Sequence, residues 1–117
     1  MLAEKDLKLA RQITQRRWDL LRKRHKKILT LCNESETREH KIAVTGLLIK
    51  QQEHYDHMIT WQEEVFGEDL EKAEKLSGES HWEISGTLKS LGVSSEVALA
   101  KAAELFVEVA LEKGCWD

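Results

Sequence analysis

The sequence predicts an all-α protein: a long antiparallel helical hairpin, coiled-coil-like along its seam, with two or three shorter C-terminal helices packed on it as a helical bundle. Three observations lead there. The 117 residues include no proline, the residue that fixes φ and removes a backbone donor inside a helix. Ala, Leu, Glu and Lys, all good helix formers, are abundant. Apolar residues recur at alternating steps of three and four over two stretches of roughly 30 residues, the spacing that keeps one stripe facing a partner helix. The chain has the length of one domain, 1–117, able to bury one core, with the hairpin over 1–66 and the shorter helices over 67–117 completing it.

The first helix is expected from about Ala3 to Cys32. Leu7, Thr14, Leu21 and Ile28 fall seven apart, with Arg11, Trp18, His25 and Cys32 four residues after each. Leu9, Ile13 and Leu20 widen the apolar face. Asn33-Glu34-Ser35-Glu36 is a polar break, in which Asn33 is placed to cap the next helix and Glu36 to reach back to it, as in a capping box. The second helix is expected from about Ser35 to Phe66. In it Val44, Leu47, Gln51, His54, Met58, Trp61 and Val65 alternate without a slip, beside Leu48, Tyr55, Ile59 and Phe66.

Beyond Gly67, the residues Leu70, Ala73 and Leu76 keep helical spacing for two turns. Ser77-Gly78 reads as a stop, because glycine tolerates the left-handed conformation past a helix end. A short helix from Ser80 to Leu91 then presents Trp82, Leu88 and Leu91, and Gly92 ends it. Ser94 or Ser95 caps a last helix from about Glu96 to Lys113. Only Lys101, Glu104 and Glu108 are charged between Val97 and Leu111. A helix so apolar around its circumference is expected to be enclosed, either at the centre of the bundle or by another chain. Its small residues, Ala98, Ala100, Ala102, Ala103 and Ala110, permit close helix approach.

Charge is sorted along the chain. Residues 1–27 hold ten Lys/Arg and three Asp/Glu, a formal +7, and residues 28–117 a formal −10. Within the run 16–27 the cations Arg16, Arg17, Arg22, Lys23, Arg24, Lys26 and Lys27 surround Trp18 and His25. Such a run could neutralise phosphates of a nucleic acid. It could equally be one face of the packed hairpin, pairing with the chain's own acids or with a protein partner, because its apolar residues keep helical spacing.

Catalytic chemistry finds no motif. Glu53, His54 and His57 share helical faces, but di-iron bundles need Glu-x-x-His pairs, and none of the five histidines has a glutamate three residues before it. Cys32 and Cys115 are too few for a disulfide framework and lack zinc-ligand spacing; they read as thiols. His25 lies two turns from Cys32, about 10 Å along the axis and too far to activate it. The stretch 84–105 is too apolar and acidic in its second half to be a DNA-reading helix-turn-helix. No phosphate-binding loop or nucleophile elbow is present. We therefore expect no catalytic, cofactor-binding or metal-binding residues.

The absence of a long apolar run argues against a signal peptide or a transmembrane helix, and points to a soluble intracellular protein, cytoplasmic and compatible with the nucleus, that does not engage a membrane. The expected function is non-enzymatic. The chain reads as a protein–protein interaction module, self-associating or a small subunit or adaptor of a larger assembly, acting through its apolar stripes. A nucleic-acid-binding protein using residues 16–27 is the alternative. The expected contact residues are the seven cations of the run together with Trp61, Phe106, Leu111 and Trp116, since tryptophans are enriched among interface anchors and Trp116 lies one residue from the end of the sequence.

Overall fold

The computed structural model of the chain describes residues 3–34 and 36–106, and among them it contains four α-helices and no strand: α1 (Glu4–Asn33), α2 (Arg38–Phe66), α3 (Glu71–Leu91) and α4 (Ser95–Leu105). They form a helical bundle 51 × 27 × 22 Å in extent. Its centre is α2, on which α1, α3 and α4 each pack. The bundle centre is therefore not the last helix, of which the part expected beyond residue 106 lies outside the described residues. Of α4 only Ala98 and Ala102 are buried, while Val97 and Leu105 are exposed.

The caps explain where the helices begin and end. Thr37, not Asn33, caps α2: its hydroxyl accepts from the His40 amide at 3.1 Å, while Asn33 is the last residue of α1. Ser94 caps α4 by accepting from the Val97 amide at 3.2 Å. Gly67 and Gly92 end α2 and α3 with φ of 63° and 69°, the left-handed conformation in which glycine avoids a Cβ penalty. Ser77-Gly78 does not stop a helix. It lies inside α3, because the Ser77 side chain is bonded to α2 instead of to its own backbone.

The expected inward row of α1 holds: Thr14, Leu21 and Ile28 are buried and Leu7 is half-buried. Of the companion row expected four residues later, Trp18 and Cys32 are half-buried against the apolar clusters, and the residues three later share the inward face with them. Ala10 and Arg24 are buried and Arg17 and Leu31 half-buried, whereas Arg11 and His25 are exposed. Both steps are open to a helix of 3.6 residues per turn, and contacts on α2 decide which residues turn inward. The expected row of α2 is intact, with Val44, Leu47, Gln51 and Met58 buried and His54, Trp61 and Val65 half-buried.

Two apolar clusters result. One joins Ile28, Val44, Leu47 and Ala102, with Leu31, Cys32, Leu48 and Phe106 against it. The other joins Leu21 and Met58, with Trp18 against it. Two tryptophans tie α1 to α2 reciprocally: Trp18 Nε1 donates to Gln62 Oε1 at 2.6 Å and Trp61 Nε1 to Thr14 Oγ1 at 2.9 Å. Gln51 Nε2 donates to the Leu21 carbonyl at 2.9 Å. At the other side Gly46 is the crossing point of α2 and α4. A Cβ placed there would stand 2.1 Å from the Ala98 carbonyl oxygen and 2.9 Å from the Ala102 methyl. The close approach allowed by Ala98 and Ala102 therefore needs a third small residue, on α2.

Candidate functional site

Two of the seven cations in the basic segment of α1, Arg17 and Arg24, turn toward the bundle, and the other five are exposed. Arg24 is buried, 6% exposed, with its guanidinium against His54 Nδ1. A guanidinium has only donors, so the ring nitrogen it meets accepts. Arg17 lies over the Trp61 ring, 5.2 Å from its centroid. Arg22 pairs with Asp19 on its own helix at 3.1 Å. Arg16, Lys23 and Lys27 are exposed. Just before the run, Arg11 sits over the Phe66 ring and reaches Glu68, just past the end of α2, at 3.7 Å. Thus Arg17 and Arg24 serve the α1–α2 packing, and the others remain on the surface.

Arg22 and Lys26 flank a groove of about 840 Å³ between α1 and α3 with α2 as its floor. Trp18, Leu29, Leu48, Tyr55 and Leu76 give it an apolar lining. Leu29 remains 46% exposed and Leu76 59% exposed. The charged side chains on its wall, Arg22 and Lys26, are both cationic, and His25 stands between them. The groove exists because α1 and α3 pack on different sides of α2 and neither covers the strip carrying Leu48 and Tyr55. Burial and the neighbouring Asp56 charge push the Tyr55 phenol above its ordinary pKa, so it is neutral at physiological pH.

On the flank of α2 a polar cluster holds α3. Gln52 Nε2 donates to Ser77 Oγ at 2.8 Å and to Asp56 Oδ1 at 3.0 Å. Ser77 Oγ donates to Asp56 Oδ1, and His81 Nε2 meets Asp56 Oδ2 at 2.8 Å. Burial alone would raise the Asp56 pKa, but the hydrogen bonds from Ser77, His81 and Gln52, with the charge of His81, outweigh it and hold the carboxyl below its ordinary range. Serine, histidine and aspartate meet here in the wrong order for nucleophilic catalysis. The carboxylate stands in the middle, and the hydroxyl donates to it directly instead of to the imidazole. A serine nucleophile needs the base beside it. This arrangement clamps two helices.

Burial pushes the Cys32 thiol up, away from the thiolate that a nucleophile requires. Among the described residues no three His, Cys, Asp or Glu side chains converge as metal ligands, and no helix is long and apolar enough to cross a membrane. Phe106 packs against the Ile28 cluster, with its ring 5.6 Å from that of His40. Leu111 and Trp116 lie outside the described residues. The composition and spacing of the sequence pointed to none of Gly46, Gln52 or Ser77. The signal available was the pair of i, i+4 relations Gln52–Asp56 and Ser77–His81, which align polar groups on single faces of two helices. The chain shows no match to a known protein family, to a curated protein or to a solved structure.

Proposed function

We propose that this chain is a non-enzymatic protein–protein interaction module, either self-associating or a small subunit or adaptor of a larger assembly, working inside the cell as one helical domain. In this reading α1 and α2 form a coiled-coil-like antiparallel hairpin that serves as a rigid rod, and the later helices complete its core and carry contacts. The observation that carries it is the distribution of large apolar side chains in water. Trp82 is 81% exposed, and Leu76 and Leu29 border an open apolar groove. Single exposed apolar residues are ordinary, but an apolar concavity rimmed by polar groups is the usual form of a partner site. Two arginines of the basic run are used within the bundle, which supports a packing role for that run over a phosphate-binding one.

The test is sedimentation of the full chain at rising concentration, with binding of a hydrophobic dye measured beside it. Assembly that weakens when Leu76 or Trp82 becomes serine supports self-association. A monomer whose dye binding falls in those variants supports the subunit version. A monomer at every concentration, with dye binding and solubility untouched by either change, overturns the proposal.

A further inference from the structure

The groove and the Trp82 face are complementary in polarity and charge. Trp82 is the most exposed large apolar residue among the described ones, at 81%. It stands clear on α3, with Gly78 one turn before it and Gly86 one turn after, and a Cβ on either glycine would meet nothing. The charged side chains beside it are the exposed Glu79 and Glu83. An indole between two carboxylates is thus presented on a bare stretch of helix. The groove between α1 and α3 offers the counterpart: an apolar lining from Trp18, Tyr55, Leu29 and Leu76, with Arg22 and Lys26 at its wall. Its volume, about 840 Å³, is several times that of an indole side chain, so the ring and the adjoining turn of helix can enter together.

We propose that the occupant of this groove is a second copy of the chain, which inserts Trp82 and sets Glu79 and Glu83 against Arg22 and Lys26. The proposal rests on the interaction-module reading and commits it to self-association. Tryptophan is among the residues enriched as interface anchors, which sit in well-packed pockets. The exposed charges on the rim contribute little affinity and mainly fix register and encounter rate.

Geometry fixes the kind of assembly. Trp82 lies about 180° to 240° around α3 from Ala73, Leu76 and Ser80, the α3 residues that line the groove. Anchor and groove therefore point in nearly opposite directions. Two copies cannot fill each other's grooves at once, so the contact is head-to-tail and propagates to a third copy unless the ring closes. The small contact predicts weak association that grows with concentration.

The experiment uses two full-length variants, Trp82→Ala, which keeps the groove, and the double variant Arg22→Glu with Lys26→Glu, which keeps the anchor. All three positions are on the surface, and circular dichroism checks that each variant folds. Sedimentation velocity should show the unaltered chain forming a series of species, weakened by added salt. Each variant alone should associate more weakly by about tenfold or more, Trp82→Ala because the anchor is lost and the double variant because it sets like charges against Glu79 and Glu83. Mixed together, the two should form a dimer that grows no further, because one supplies the groove and the other the anchor. A chain that stays monomeric, or one whose assembly survives Trp82→Ala, overturns the inference. So does a mixture that remains monomeric. Assembly that persists in Trp82→Ala leaves the interaction-module reading standing while removing this contact from it.

Discussion

Helices α3 and α4 both pack on α2, yet they are held by opposite means. The eleven residues of α4 press backbone against backbone at Gly46, with Ala98 and Ala102 buried and the Ile28–Val44–Leu47 cluster closing behind. The twenty-one residues of α3 bury only Ser77 fully and depend on the Asp56 cluster. The shorter helix has the more intimate attachment. Length does not measure attachment, because burial per residue depends on how near two backbones can come, and that is set by the smallest side chains at the crossing.

The sharpest break in this comparison is in the shared core. Leu47→Ala should remove a side chain that is 2% exposed and cost about 3 kcal/mol, read as a shifted urea midpoint with unchanged slope. Next is Gly46→Ala, whose methyl must displace the Ala98 carbonyl. About 2 kcal/mol should be lost, and hydrogen exchange should rise in α4 while α3 keeps its protection. If α3 loosens equally, the two attachments are not separate.

Ser77→Ala attacks the other side. It leaves Gln52 and Asp56 short of a partner and should cost about 1 to 2 kcal/mol, with faster exchange in α3 and none added in α4. The same cluster predicts a pH dependence. The folded Asp56 carboxyl titrates below its ordinary value of 3.8, so its contribution is complete above that value and is lost as pH falls through the lowered one. Denaturation at a series of pH values should show native protein and Asp56→Asn converging in acid and diverging toward neutrality. Smallest is Ser94→Ala, which removes the α4 cap and should cost about 1 kcal/mol in thermal unfolding.

The contrast also explains what could be read from the sequence. The α2 stripe and the Leu7–Ile28 row of α1 are periodic over many turns, so their inward faces were legible without structure. Periodicity could not show that Arg24 turns inward while His25 stays exposed, because that rests on Arg24 meeting His54 across the bundle. The α3 helix was misread as broken at Ser77-Gly78 for a related reason. Serine favours turns when its hydroxyl bonds its own backbone, and here Asp56, 21 residues away, takes it instead. The central place of α2 was hidden too. The sequence of the last helix is the more apolar, but the glycine that permits close contact sits on α2. As for the groove, Leu29 and Leu76 look like any other apolar residues until α1 and α3 are seen to flank an uncovered strip.

The cluster of Ile28, Val44, Leu47 and Ala102 draws on the first, second and last helices. During synthesis it stays incomplete until residue 102 has emerged, after all of α3. Before that moment the nascent chain can pair α1 with α2 around Leu21 and Met58, but the Gly46 face has nothing to meet. The final apolar closure is thus postponed almost to the end of translation of the described segment, and a ribosome stalled within α3 would hold a half-built bundle with the Gly46 side of α2 still open.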